Sequence, residues 1–170
     1  MKNRSINILI LLIILIALFL IPQASIDAAS KADKAIKTSK RVYNKVSEKV
    51  DDDKLKVVYT GKVRDYYEDD ILRKTECLST RNDLSPKNCM AEYFYDSNNH
   101  PVFIYAWKKV NGEIREYRAY YGKDGKCYRY IGPDHIAHTY KKGRSRDHMP
   151  SMARNMFLKA QRNLYLLGYL

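Results

Sequence analysis

Histidine is the side chain in this sequence that most readily binds a metal or transfers a proton near neutral pH. His135 and His138 are separated by two residues, and His148 follows ten residues after the second. The paired histidines of metalloproteases lie four residues apart with a glutamate between them, whereas Ile136 and Ala137 stand between this pair. The spacing therefore favours surface histidines, and we expect neither a bound metal nor another cofactor.

Cysteine is the second residue type that could do chemistry, and the chain has Cys77, Cys89 and Cys127. Three thiols allow one internal pair, and a Cys77–Cys89 disulfide would close a short polar loop. The alternative is that all three thiols stay reduced. A thiol nucleophile needs a base and an orienting group, for which His135 and Asp134 are the candidates beside Cys127. A small secreted hydrolase-type enzyme is thus the alternative function, with no catalytic residue assigned.

Tyrosine is unusually frequent, with 15 copies in 170 residues. In the segment 113–121, strand alternation places Arg115, Tyr117 and Tyr121 on one face. Tyrosine beside arginine can stack on a sugar or a base and can pair with an anion. The pattern predicts a binding face, and the alternative is that these tyrosines are ordinary strand residues with a buried ring.

The basic segment 140–146 is a second candidate binding surface. We expect it to be a loop before the last helix, where its cations would hold a phosphate or a carboxylate. Those cations are Lys141, Lys142, Arg144 and Arg146. The alternative is a solvated linker.

The first 29 residues have the three parts of a secretory signal. A positively charged start precedes residues 8–21, which carry only apolar side chains, and small residues follow near Ala28 and Ala29. The alternative is a retained membrane anchor over residues 6–21, although spanning helices usually need about 20 apolar residues. We expect a secreted or cell-surface protein.

The net charge of the chain indicates which classes of partner it can attract. Lysine and arginine number 31 against 19 aspartates and glutamates, a net charge of +12. Such an excess attracts polyanions. For an exported protein we expect an anionic surface polymer, an anionic lipid or a protein partner, and we do not expect nucleic acid.

Hydrophobic patterning divides the chain after the signal into a lysine-rich helical segment, 30–54, and a β-rich domain, 55–170. Apolar residues at helical spacing predict an amphipathic helix over 32–50, with a stripe thin enough to leave it partly detached. Alternation and turn residues then predict five or six strands. They are Lys56–Tyr67, Ile71–Leu78, Ala91–Asp96, Val102–Val110, Glu113–Tyr121 and Lys126–Ile131.

Short links between these strands predict an antiparallel meander. Asn111-Gly112 is a typical two-residue hairpin turn, and Lys123-Asp124-Gly125 is a second turn. A C-terminal helix, beginning at Pro150 or Ser151 and ending at Gly168, is predicted to pack on one sheet face. The expected fold is α+β, with one helix at each end of the meander.

Aromatic blocks separated by turns follow one another along the middle of the chain. They are Tyr93-Phe94-Tyr95-Asp96, Phe103-Ile104-Tyr105-Ala106-Trp107, Glu116-Tyr117-Arg118 and residues 125–131. Over about residues 60–132 they resemble a loose class of small exported bacterial proteins with tyrosine-rich β-hairpin repeats. The resemblance implies a meander and export but no activity. Together these features predict an exported, non-catalytic binding or interaction module.

Overall fold

The computed structural model describes residues 23–78 and 89–169. Its elements are α1 (Gln23–Asp51), β1 (Lys56–Thr60), β2 (Val63–Glu68), β3 (Ile71–Leu78), β4 (Cys89–Tyr95), β5 (Pro101–Val110), β6 (Glu113–Tyr121), β7 (Cys127–Ile131), β8 (Ala137–Arg144), a 3-10 turn (Arg146–His148) and α2 (Ser151–Leu166).

The eight strands form one antiparallel sheet in which each strand pairs with its neighbours in sequence. The α+β meander is therefore confirmed, but residues 23–78 and 89–169 form eight strands and not five or six. The strand predicted over 56–67 is two strands, because Gly61, at φ +59°, lies in the turn between β1 and β2. The segment predicted as a basic loop forms most of β8, which pairs with β7.

The tight turns keep successive strands antiparallel. Asn111 and Gly112, at φ +52° and +87°, join β5 to β6 as the sequence predicts. The β2–β3 turn reaches the same left-handed region without glycine, through Asp69 and Asp70 at φ +50° and +61°. Aspartate enters this region more readily than most residues, because its short polar side chain can hydrogen-bond locally.

Helix α1 packs on one face of the sheet and is not detached. Its apolar stripe is buried against Phe94, Phe103 and Tyr120, and it includes Ile36, Val42 and Val46. Ser39 is fully buried in this interface, and its hydroxyl donates a 2.7 Å hydrogen bond to the carbonyl oxygen of Val102. The thin stripe is sufficient because small residues let the helix lie close to the strands.

Helix α2 covers the opposite face, as predicted. Ala153, Met156, Phe157, Ala160 and Leu164 are buried against β4, β5 and β6. Strand β5 therefore has helices on both sides: Phe103 faces α1, and Ile104 faces α2. The sheet lies between the two helices, with an apolar core on each of its faces.

The N-terminal predictions fall partly outside the described residues. The apolar run 8–21 lies there, whereas the cleavage expected near Ala28 or Ala29 falls within α1, which begins at Gln23. In the described part of the chain, no helix combines the length and apolarity needed to cross a membrane.

Candidate functional site

The aromatic face predicted on β6 is buried. Tyr121 is 1% exposed and Tyr117 is 8% exposed, because both rings lie in the core beneath α2. Arg115 is exposed at the other end of β6. The prediction is corrected on this point, since alternation assigns residues to a face but does not tell which face a helix covers. Tyr120 and Tyr105, on the other face of β6 and β5, line a groove on the α1 side.

The predicted basic residues are exposed but occupy an edge strand. Lys141, Lys142 and Arg144 lie on β8, and Arg146 lies in the 3-10 turn that follows. The guanidinium carbon of Arg144 lies 5.1 Å from the centre of the Tyr140 ring. The pairing of β8 with β7 shifts register between Thr139 and Arg144. Tyr140 packs on the core beneath α2, and Arg144 pairs with Cys127 of the same core, so Lys141 is assigned to the α1 side of β8 by its position next to Tyr140.

The histidines considered for chemistry all lie at the surface, in or after the β7–β8 hairpin. His138 is exposed and pairs with Tyr130 across the β7–β8 ladder, and His135 lies in the turn between these strands at φ +59°. His148 is exposed, with its Nδ1 3.0 Å from the Ser145 hydroxyl. Within residues 23–78 and 89–169, no three His, Cys, Asp or Glu side chains are grouped to hold a metal ion.

Cys127 is fully buried, and its thiol lies 3.3 Å from the carbonyl oxygen of Arg129. Burial raises the pKa of this thiol to about 12, so it stays protonated at neutral pH. A protonated, enclosed thiol is a poor nucleophile. The predicted Cys77–Cys89 disulfide involves a side chain outside the described residues. The backbone places Cys77 opposite Ala91, two residues beyond Cys89.

Tyr128 joins three segments that are distant in sequence. Its ring packs against Ala32 and Ala35 of α1, and its hydroxyl donates a 3.0 Å hydrogen bond to Asp124 in the β6–β7 turn. A Cβ added to Gly143 of β8 would lie 3.0 Å from Cζ of the same ring. Tyr128 therefore brings α1, the β6–β7 turn and the end of β8 to one place.

These segments contribute a cluster of lysines, here called the basic corner: Lys31, Lys34, Lys123, Lys126 and Lys141. The first three line a groove of about 360 Å³ between α1 and the β6–β7 turn. Lys126 lies against Gly143, and Lys141 lies two residues before Gly143 on β8. Among the described residues, none of the five has an ion-pair partner.

A larger groove of about 620 Å³ lies along the other flank of α1, here called the aromatic groove. It is lined by Ser39, Lys40, Tyr43, Asn44, Glu92, Phe103, Tyr105, Arg118 and Tyr120. Helix α1 supplies one wall, and β4, β5 and β6 supply the floor. Both the basic corner and the aromatic groove thus depend on α1 lying across the sheet.

Sequence reasoning missed most of these residues. The prediction named Lys141, but it did not connect this lysine with Lys31, Lys34 or Lys123, because no local pattern reveals their proximity. One signal was available: Tyr43 is an aromatic residue on an otherwise cationic part of the helix, which predicts that its ring contacts another element of the fold or a ligand.

This chain matches no known family model and is similar to no curated protein or solved structure.

Proposed function

We propose that this protein is an exported, non-catalytic module that binds a phosphate-bearing polymer of the cell surface through its basic corner. The observation that supports this most directly is the convergence of five lysines from three segments without ion-pair partners among the described residues. Like charges held together raise the local positive potential and attract a polyanion. Tyr128 fixes the segments that hold these lysines, so the cluster does not form by side-chain motion alone.

The shape of the corner favours a flexible polymer over a lipid surface. Lys31, Lys34 and Lys123 border a groove rather than a flat plane, and a chain can enter a groove where a bilayer cannot. Membrane-surface proteins usually add large apolar side chains to their basic residues. The most exposed side chains of that kind, Tyr59, Tyr165 and Leu166, lie on β1 and α2, away from the corner.

The test measures binding of the purified full-length chain to long-chain inorganic polyphosphate over a range of salt concentrations. We expect binding that weakens as salt screens the charges. The triple variant Lys31→Gln, Lys34→Gln, Lys123→Gln should bind about 10- to 100-fold more weakly, if each lysine contributes about 0.5–1 kcal/mol. Circular dichroism of the variant should match that of the wild type, because all three side chains are exposed or lie at the surface of the groove.

The matched control removes the same charge from the other side of the molecule, with Arg154→Gln, Lys159→Gln and Arg162→Gln on α2. It should change polyphosphate affinity by about twofold or less, since isolated surface charges contribute little. An equal loss in both triple variants would mean that net charge alone drives binding, and would overturn the proposal. Vesicles of phosphatidylglycerol and of phosphatidylcholine test the lipid alternative. The proposal would also be overturned if the chain bound the phosphatidylglycerol vesicles more tightly than polyphosphate and if this binding depended on the lysines of the basic corner.

A further inference from the structure

We propose that the aromatic groove is a separate ligand site, which binds a pyranose unit of an acidic saccharide. This inference goes beyond the proposed function, because it concerns the opposite flank of α1 and different side chains. The groove's volume of about 620 Å³ falls within the range of small-molecule sites, roughly 300–1,000 Å³. It combines aromatic rings with polar groups, as the apolar faces and polar edges of a sugar ring require.

The floor of the groove is aromatic, but Phe103 is only 6% exposed and Tyr120 only 9% exposed. Tyr43 and the half-buried Tyr105 therefore supply most of the ring surface that a ligand can reach. The centroids of Phe103 and Tyr120 lie 4.9 Å apart, and those of Phe103 and Tyr43 lie 5.5 Å apart. Their planes are inclined at 45° and 81° respectively. A flat nucleobase is best held between parallel planes, which these angles do not supply. A puckered sugar with C–H groups on its faces suits inclined rings better.

Tyr43 is the ring that gives the groove its open wall. Its side chain is 41% exposed although the ring packs at 5.1 Å from Phe94. An aromatic residue that is half in contact with the core and half with solvent offers one face to a ligand. The same helix flank also carries Asn44 and Lys40, so polar groups stand directly beside this ring.

The far side of the groove is held rigid by Glu116. This carboxylate accepts a 2.9 Å hydrogen bond from the Tyr105 hydroxyl and lies 2.8 Å from Nη2 of Arg118. The guanidinium carbon of Arg118 also lies 5.8 Å from the centre of the Tyr105 ring. With two partners fixing their positions, Tyr105 and Arg118 lose little freedom when a ligand binds, which favours affinity.

The charge balance of the groove points to an acidic ligand. Glu92 is compensated by Lys74, whose ammonium nitrogen lies 3.2 Å from its Oε1, and Arg118 is compensated by Glu116. Lys40 has no ion-pair partner among the described residues. One uncompensated cation at the rim matches one carboxylate on the sugar. The carboxylate of Glu92 and the amide of Asn44 remain for the hydroxyl groups.

The test is a calorimetric titration of the full-length chain with a hyaluronan tetrasaccharide, which alternates glucuronate with N-acetylglucosamine. Cellotetraose serves as a neutral saccharide of equal length, and uridine monophosphate as an anionic nucleotide. We expect the acidic tetrasaccharide to bind about fivefold or more tightly than cellotetraose, as one ion pair allows. No binding of the acidic tetrasaccharide, or tighter binding of the nucleotide, would overturn the inference.

Three variants separate the groove from other surfaces. Tyr43→Ala should weaken the binding of both tetrasaccharides by about tenfold. Lys40→Gln should weaken the binding of the acidic tetrasaccharide alone, by about fivefold. Lys37→Gln, an exposed lysine of α1 that does not line the groove, is the matched control and should change neither. If Tyr43→Ala alters the circular dichroism spectrum, the exposed Lys40→Gln variant still decides the question. Unchanged acidic-saccharide binding in Lys40→Gln would overturn the inference.

The polyphosphate proposal and the saccharide inference can be tested independently of each other. The basic-corner variant Lys31→Gln, Lys34→Gln, Lys123→Gln should leave tetrasaccharide binding within about twofold of the wild type. If that variant loses the tetrasaccharide, the saccharide site is the corner and not the aromatic groove. If polyphosphate binding persists while the tetrasaccharide fails to bind, the proposed function stands and the saccharide inference falls.

Discussion

The hydroxyl of Tyr121 donates a 2.8 Å hydrogen bond to the carbonyl oxygen of Ala153, and so ties the end of β6 to the first turn of α2. The ring is 1% exposed and lies 5.0 Å from the ring of Phe157. A residue that the sequence suggests as a ligand contact is thus a structural anchor.

Tyr121→Phe tests this anchoring role. The substitution keeps the ring in the core and removes only the hydroxyl, so we expect a loss of about 1–1.5 kcal/mol in the free energy of unfolding. Urea denaturation followed by circular dichroism measures it. Tyr165→Phe, at a tyrosine of α2 that is 69% exposed, is the control and should change stability by less than about 0.5 kcal/mol. Equal effects of the two substitutions would argue against the hydrogen bond as the cause.

Gly143→Ala should disturb the junction that assembles the basic corner. Gly143 has a φ of +69°, and an added Cβ would lie 2.9 Å from Cβ of Lys126 and 3.0 Å from Cζ of Tyr128. The variant suffers both backbone strain and a steric clash. We expect it to lose about 2–4 kcal/mol of stability in urea denaturation, and to bind polyphosphate more weakly because Tyr128 is displaced.

Gly61→Ala is the matched control for that substitution. Gly61 has a similar φ of +59°, but an added Cβ would meet nothing within 4 Å. It should therefore show the backbone strain alone, about 1–2 kcal/mol, with polyphosphate binding unchanged. Equal destabilisation of the two variants would show that the contact between Gly143 and Tyr128 does not matter.

Much of the fold follows from local sequence patterns. The bounds predicted for β3, Ile71–Leu78, and for β6, Glu113–Tyr121, agree with the structure to the residue, because clear alternation ends at recognisable turns. Strand β8 was missed for the opposite reason: most of its side chains are exposed, so it has no apolar alternation. Its place is set by backbone pairing with β7, which leaves no signature in its own sequence.

The candidate sites could be predicted far less well than the strands. Whether Tyr117 and Tyr121 are buried depends on which side α2 packs, and the two faces of β6 look alike in sequence. The basic corner depends on Tyr128, which contacts Ala32 and Ala35 almost a hundred positions earlier. Contacts of that kind arise from tertiary packing, and no spacing rule within one segment describes them.

Lys74 is a buried cation whose charge supports the fold. It is 5% exposed, and its ammonium nitrogen lies 2.7 Å from Glu76 Oε1 and 3.2 Å from Glu92 Oε1. Burial lowers the pKa of Lys74, but the hydrogen bonds and charges of Glu76 and Glu92 outweigh it, and the net shift is upward from 10.5. Its contribution to stability is therefore complete below pH 10.5 and is lost as pH rises through the folded-state pKa.

We accordingly expect the free energy of unfolding to fall in alkali above about pH 10. Tyr105 and Tyr128 add to this fall, because burial raises the pKa of each phenol to about 12 and folding then opposes ionisation. At neutral pH, Lys74→Gln should lose about 3–5 kcal/mol, since it leaves Glu92 without its cation and leaves Glu76 with only the more distant Arg64, at 3.6 Å. Lys159→Gln, at an exposed lysine of α2, is the control. Urea denaturation across the pH range measures both, and a Lys74 variant as stable as the control would refute the role assigned to this lysine.

Asp65 also lowers the stability of the fold as pH rises, but it does so in the acid range, and its replacement is expected to stabilise the protein. It is 3% exposed, and its Oδ1 accepts a 2.6 Å hydrogen bond from the Thr75 hydroxyl. Burial raises the pKa of Asp65 more than this hydrogen bond lowers it, so the folded state holds the proton more tightly than the unfolded chain. The carboxylate therefore reduces stability as pH rises above 3.8 through the folded-state pKa. Asp65→Asn keeps an acceptor for Thr75 without the charge, so we expect it to be more stable than the wild type at neutral pH, with a difference that disappears in acid. Asp33→Asn, at an exposed position of α1, is the control for loss of a carboxylate in the same urea titrations. A pH-independent effect of Asp65→Asn would mean that packing, not ionisation, is what the substitution changes.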